Sequence, residues 1–142
     1  MTCNPCYQKS AQTAYNSAAQ TYTADGTTVS ILGTLATSTG ASIRTVTDGF
    51  GITRSGLYRI SYDVTSTPSA AGGQTLQLYS GTTAMPCAIT TDTVAASEVI
   101  TQHIETVVRI PVCCVSRPTI SARLSGVAGT ISHVCASAVR LA

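Results

Sequence analysis

The sequence predicts an all-β domain, on three observations. From residue 21 onward the chain is rich in Thr, Val, Ile, Tyr and Ser, and Gly, Pro, Asn and Asp separate short runs of these residues. Several runs alternate apolar and polar side chains with the period of two that a strand requires. No helical pattern lies between the runs, which excludes a βαβ sheet and leaves a sandwich, a jelly roll or a barrel.

The pattern predicts about ten strands, separated by turn residues such as 25-DG-26 and 48-DG-49. The predicted strands cover residues 20–24, 28–32, 42–46, 49–53, 57–65, 74–80, 86–91, 98–110, 118–125 and 130–141.

The clearest strand is 57-LYRISYDVT-65, in which apolar and polar side chains alternate. Arg59 and Asp63 lie on its polar face, so this strand is expected to cover a core on one side only. Its apolar face consists of Tyr58, Ile60, Tyr62 and Val64.

The last strand, 130-TISHVCASAVRL-141, has no plainly polar face. Strict alternation places these residues on one side of it: Ile131, His133, Cys135, Ser137, Val139 and Leu141. A strand that is covered on both faces indicates that something packs on its outer side, and we expect a second subunit there.

The N-terminal residues 1–24 differ from the rest. Tyrosines and alanines recur there at steps of three to four residues, which is consistent with a short helix over residues 8–20. An isolated helix of this length is marginal in water, so the segment is either a helix that needs a partner surface or an extended arm. It contains no hydrophobic region of a signal peptide, and no apolar stretch approaches the roughly 18 residues that span a bilayer.

Charge is sparse, at 10% of the residues, with a net charge of +2. The chain has one lysine, Lys9, and its seven arginines are separated along the sequence without a basic run. We therefore expect neither nucleic acid nor a membrane surface among the partners.

Six cysteines and two histidines are the candidate metal ligands. The pair in 3-CNPC-6 lacks a second pair at zinc-site spacing, and the adjacent Cys113 and Cys114 would point to opposite faces of a strand. No nucleophile elbow, phosphate loop or paired-carboxylate motif is present. We expect no metal, no cofactor and no enzymatic activity.

The run 49-GFGITRSGLYRISYDVTS-66, followed by 74-QTLQLYSGTTAMPCA-88, resembles the jelly roll of the tumour necrosis factor (TNF) and complement C1q type. The closing run, residues 98–142, is similar to the C-terminal heads of exosporium collagen-like proteins and their phage versions. The resemblance implies a TNF/C1q-like jelly-roll sandwich over residues 25–142, preceded by an arm over residues 1–24. It also implies a homotrimer. No collagen stalk precedes the head, and in this the chain is similar to head-fibre and decoration proteins of tailed phages.

These features predict a structural virion protein, a homotrimeric capsid decoration or head-fibre protein displayed on a phage particle by its N-terminal arm. The predicted anchoring residues are Cys3, Pro5, Cys6, Tyr7 and Tyr15. The predicted trimer-interface residues are Tyr79, His103, Val107, His133, Cys135 and Val139. The alternative is a carbohydrate- or receptor-binding head on a phage or spore surface, with loops 66–73, 81–85 and 92–97 at its tip.

Overall fold

The computed structural model describes residues 10–113 and 117–142. Within these ranges the chain is all-β, with twelve strands and no helix. In chain order the strands are β1 (Ala11–Asn16), β2 (Gln20–Tyr22), β3 (Thr27–Thr28), β4 (Thr34–Thr39), β5 (Ile43–Val46), β6 (Gly49–Ile52), β7 (Gly56–Pro68), β8 (Gly72–Ser80), β9 (Thr83–Val94), β10 (Ile100–Ile110), β11 (Thr119–Ser125) and β12 (Gly129–Arg140).

The strands form two six-stranded antiparallel sheets. The front sheet has the order β10-β7-β12-β1-β4, with β2 also paired to β12. The back sheet has the order β5-β6-β11-β8-β9, with β3 also paired to β11. The strands pair as nested hairpins: β8 with β9 is the innermost pair, and the more distant strands β7 and β10, β6 and β11, and β1 and β12 pair outside it. This nested pairing makes the sandwich a jelly roll.

Each of the ten predicted strands overlaps a strand of the structure. The faces predicted for β7 are also confirmed: its four apolar residues are fully buried, whereas Arg59 is exposed and Asp63 is half-buried. Alternation is a reliable signal here because β7 lies in the interior of the front sheet and one of its faces packs against the back sheet.

The N-terminal segment is not an arm up to residue 24, and the helical alternative is wrong. Residues 11–16 form strand β1, which pairs with β12 on one side and β4 on the other. Gln20–Tyr22 forms β2, and the Tyr22 side chain is completely buried in the core. The jelly roll therefore begins by residue 11, and only residues 1–9 of the predicted arm lie outside the described chain.

The helical spacing misled because the buried side of β1 is mostly polar. Gln12 and Asn16 are buried beside Ala14. The Gln12 amide nitrogen donates to the Ser38 hydroxyl, and its oxygen accepts from the Thr45 hydroxyl. Both polar atoms of this buried side chain therefore have a hydrogen-bond partner. A strand that buries satisfied amides carries no hydrophobic alternation to detect.

The predicted faces of β12 are wrong at its start. Its register shifts between Ile131 and His133, where an extra residue forms a β-bulge. After the bulge, the residues that face the core are Val134, Ala136 and Ala138. Before the bulge, the residue that faces the core is Ile131. The bulge thus moves Ile131 to the opposite side from His133, because one inserted residue inverts a period of two.

The core between the sheets is completed at one end by a polar network around Gln74, which is fully buried. The Tyr22 hydroxyl donates to the Gln74 side-chain oxygen at 2.6 Å. The Gln74 amide donates to Ser66 and to the Gln102 side-chain oxygen, both at 2.9 Å. Because each polar group has a partner, the network fixes how the two sheets meet instead of destabilising them.

Tyr62 is the exception in the core. Its ring is fully buried edge-on to Phe50, with centroids 6.2 Å apart, and its hydroxyl has no hydrogen-bond partner among the described residues. Burial, with a smaller contribution from the Asp48 charge, raises the pKa of Tyr62 above the ordinary value of 10.0. The folded protein therefore holds this phenol neutral at pH values where the unfolded chain would ionise it.

We expect Tyr62→Phe to stabilise the fold by about 1 kcal/mol at pH 7, because it removes an unsatisfied buried hydroxyl. Ionisation of this group leaves the stability of the parent protein unchanged below pH 10 and lowers it as the pH rises above 10, since only the unfolded state then loses the proton. The substitution should reduce that fall. Urea unfolding at pH 7 and pH 11, at one chain concentration, measures both effects.

Tyr58→Phe is the matched control, because the Tyr58 hydroxyl does have a partner, the Arg54 carbonyl. Losing that bond should cost about 1 kcal/mol at pH 7. A Tyr62→Phe protein that is less stable than the parent at pH 7 would contradict the prediction.

Candidate interaction surface

The outward side of the front sheet, which we call the front face, is the surface that carries most of the predicted site residues. It is built from alternate residues of four adjacent strands. They are Thr101, His103, Glu105, Val107 and Arg109 of β10; Leu57, Arg59, Ser61, Asp63 and Thr65 of β7; His133, Cys135, Ser137 and Val139 of β12; and Ala11, Thr13 and Tyr15 of β1.

One half of the front face, on β10 and β7, carries the charges. His103 and Asp63 are directly opposite each other, and the His103 Nδ1 lies 2.7 Å from the Asp63 Oδ1. Arg59 and Glu105 form a looser pair, with 3.7 Å from Nε to Oε1. All four side chains are about half exposed, so these two pairs contribute little to the stability of the single chain.

The other half, on β12 and β1, contains no charged residue. The cross-strand rows run through Cys135 and Tyr15, Ser137 and Thr13, and Val139 and Ala11. Ser137 also contacts β7, where its hydroxyl lies 2.7 Å from that of Ser61. Apart from Tyr15, these side chains are small and half-buried, which leaves a smooth surface on which another chain could pack closely.

Tyr15 and His133 stand at the edge of this half. Their ring centroids are 6.1 Å apart, and the His133 Nδ1 lies 3.0 Å from the Ser17 hydroxyl oxygen. Tyr15 is 37% exposed, although it lies within a six-residue strand. It was predicted to anchor a particle from an arm, but it belongs to the front face; Cys3, Pro5, Cys6 and Tyr7 lie outside the described residues.

Five of the six predicted interface residues lie together on the front face: His103, Val107, His133, Cys135 and Val139. Tyr79 lies on the outer side of the back sheet, where Arg123 stacks over its ring with 5.4 Å from Cζ to the centroid. The outer sides of the two sheets point in opposite directions, so Tyr79 does not share a surface with the other five.

Sequence reasoning missed the partners of the charged residues. His103 and Glu105 share one face of β10, and each contacts a residue of the neighbouring strand β7, His103 with Asp63 and Glu105 with Arg59. The useful signal was in 57-LYRISYDVT-65, where Arg59 and Asp63 are four residues apart and therefore lie on the same face of the strand. Opposite charges on one face of a strand can pair with charged residues of the neighbouring strand.

The three loops predicted to form one binding tip lie at opposite ends of the molecule. Loops 66–73 and 92–97 are neighbours, joined by a bond from the Ser97 N–H to the Pro68 carbonyl. Loop 81–85 begins at the far end of β8, and nine residues of strand separate the ends by roughly 26 Å. A single tip cannot contain all three.

Within the described ranges, no group of three or more His, Cys, Asp or Glu residues is placed to hold a metal ion. Cys87 is exposed and Cys135 is half-buried on the front face, and neither forms a disulfide with a described cysteine. No helix in residues 10–113 and 117–142 is long and apolar enough to cross a membrane.

Comparisons with solved structures identify the fold. The chain is similar to the PRD1 vertex protein P5, at 17% identity and a TM-score of 0.71, over 94% of this chain and 97% of that one. It is also similar to murine APRIL, at 11% identity and a TM-score of 0.69, over 94% and 100%. The globular domain of zebrafish complement 1qA gives 9% identity and a TM-score of 0.55, over 90% and 94%.

The fold is the TNF/C1q-like jelly roll. This confirms the fold class that the sequence predicted. No family model matches the chain, and no curated protein matches it. None of the three structures is named as an enzyme. At these identities the TNF/C1q-like jelly roll is a statement about fold alone.

Proposed function

We propose that this protein is a structural head on the surface of a virion, and that it works as a homotrimer. The observation that carries the proposal is the front face, which combines an uncharged half with a half that carries charged side chains, on one sheet. The fold supports it, because TNF/C1q-like jelly rolls are typically homotrimers and the PRD1 vertex protein P5 has the same fold.

The two halves of the front face suit a threefold arrangement. A cyclic trimer has heterologous interfaces, in which one patch of each subunit meets a different patch of the next. His133, Cys135 and Val139 belong to the uncharged half, whereas His103 and Val107 belong to the charged half. Val107 is 54% exposed in the single chain, so burying it against a neighbour would remove apolar surface from water.

Attachment is proposed to use the segment before β1. Ser10 is held at one end of the sandwich, where its carbonyl accepts from the Arg140 N–H and its hydroxyl accepts from the Ser42 N–H. The proposed anchor, residues 1–9, is therefore joined to the head at a fixed point. Three such segments on one trimer would multiply a weak contact with the particle into firm attachment.

The mass of the protein in solution tests the trimer. Light scattering after size-exclusion chromatography should give about 44 kDa, three times the 14.6 kDa of the chain. A mass of 14.6 kDa at micromolar concentration would contradict the proposal.

A further inference from the structure

The fold gathers positive charge that is dispersed in the sequence. Five of the seven arginines lie at one end of the sandwich, which we call the arginine pole: Arg44, Arg54, Arg109, Arg117 and Arg140. Strand register fixes this grouping, because Arg109 is opposite Leu57 and Arg140 is opposite Tyr58, both at the start of β7. Arg54 precedes that strand, and Arg117 precedes β11.

Acidic side chains are absent from the arginine pole, and all six of the chain lie within the described residues. Asp92 and Glu98 lie at the opposite end, near loop 66–73, and Asp25 lies in the turn between β2 and β3 beside Gly126. The remaining three, Asp48, Asp63 and Glu105, lie along the length of the sheets. The molecule is therefore polarised along its strands, a property that the small net charge conceals.

A cleft of about 740 Å³ opens at the arginine pole, between the β8–β9 turn, the end of β10 and the start of β11. Arg109 and Arg117 line it together with hydroxyl groups of residues such as Thr83 and Thr119. Both arginines are exposed, and neither is paired with an acidic side chain of the described residues. Two unpaired guanidinium groups in one concave site are suited to binding carboxylates, which they can engage through two parallel hydrogen bonds.

The cleft continues into a smaller groove of about 310 Å³ between β9 and β10. The two share Ser80, Thr83, Met85 and Val108, and the groove is mostly apolar. No aromatic ring of the described residues lines either one, so the stacking that single-stranded nucleic acids use is not provided. The cleft is basic and lined by hydroxyl groups, and the groove beside it is apolar. Such a site suits a peptide, whose side chains are of mixed character.

We propose that the cleft between Arg109 and Arg117 is a docking site for an acidic segment of another protein. The choice of a protein partner rests on the proposed attachment: Ser10, which follows the proposed anchor in the chain, lies at the same pole, so the surface facing this pole would be that of the particle. The arginines would then bind carboxylates of the particle protein while the N-terminal segments hold the head in place.

The test uses the full chain and a labelled peptide of alternating Glu and Ala residues, with a matched peptide that has Gln in place of Glu. At low salt, fluorescence anisotropy should detect binding of the Glu peptide and none of the Gln peptide. The double variant Arg109→Gln with Arg117→Gln should bind the Glu peptide at least tenfold more weakly. Binding should also weaken steeply as salt is raised, since the contacts are between exposed charges.

The matched control is Arg44→Gln with Arg54→Gln, which removes the same two charges from the arginine pole outside the cleft. This control loses as many positive charges as the cleft variant, and it should bind the Glu peptide at most threefold more weakly than the parent protein. Equal losses in the two double variants would overturn the cleft in favour of diffuse attraction, and no binding of the Glu peptide would overturn the site altogether. Tighter binding of duplex DNA or polyphosphate of equal charge would overturn the assignment to an acidic protein.

Thermal unfolding of both double variants checks that they are folded. The mass measurement keeps this proposal separate from the trimer: a 14.6-kDa protein that still binds the Glu peptide through Arg109 and Arg117 would refute the trimer and retain the docking site.

Discussion

Replacing Ser137 by arginine is expected to convert the proposed trimer of about 44 kDa into single chains of 14.6 kDa that remain folded. Ser137 lies in the middle of the front face on β12, half-buried, with its hydroxyl 2.7 Å from that of Ser61. An arginine there would point outward, so the core of the chain is untouched. In the proposed trimer it would place an unpaired charge in each of three interfaces, at a cost of several kcal/mol apiece.

Thr91→Arg is the matched control. Thr91 also forms a cross-strand hydroxyl pair, 2.8 Å from Thr75, but on the outer side of the back sheet. The same charge and bulk at this position should leave the mass at about 44 kDa. If Ser137→Arg keeps the trimeric mass, or if both variants lose it, the front face is not the interface. Thermal unfolding distinguishes dissociation from loss of fold.

Deleting residues 1–9 is expected to leave a folded trimer that no longer attaches to particles. The deletion ends before Ser10, whose carbonyl and hydroxyl are bonded to Arg140 and Ser42 in the sandwich. Co-sedimentation with particles that lack the protein measures attachment, with the intact chain as the reference. Loss of at least tenfold in bound protein, at unchanged solution mass, is the expected result because three weak contacts are removed together.

The position of the deletion is decisive, because a longer one removes part of the fold. Deleting residues 1–20 would remove β1, which pairs along its whole length with β12 and supports β4. That protein should unfold or aggregate through the exposed edge of β12, so its failure to attach would carry no information about anchoring. Undiminished attachment of the protein lacking only residues 1–9 would refute the proposed anchor.

The sequence was sufficient for those strands that bury an apolar face. In β7 the tyrosines and isoleucine alternate with polar residues, and both the strand and its faces were predicted. β4 was missed because all six of its residues are exposed at the edge of the front sheet, so no burial pattern marks it. β1 was missed because hydrogen-bonded amides replace apolar side chains on its buried face.

Site residues were harder to predict than strands, for a reason of register. Alternation shows which face a residue occupies within its strand but not which strands are neighbours, so Tyr79 was grouped with residues of the other sheet. The bulge in β12 inverted the expected face of Ile131. The arginine pole is invisible in the sequence for the same reason, because Arg54 and Arg117 become neighbours only through the pairing of distant strands.

The position of β12 has a consequence for how the protein is made. This strand lies between β7 and β1 in the front sheet, and its register joins Ala11 to Val139. While the ribosome is still synthesising the chain, β1 therefore waits unpaired on that side until almost the whole sequence has emerged. Closing so long a loop is slow, and the front face takes shape only afterwards. In the proposed trimer, a chain that lacks β12 could not join through this face, so only subunits whose synthesis has passed this strand would assemble.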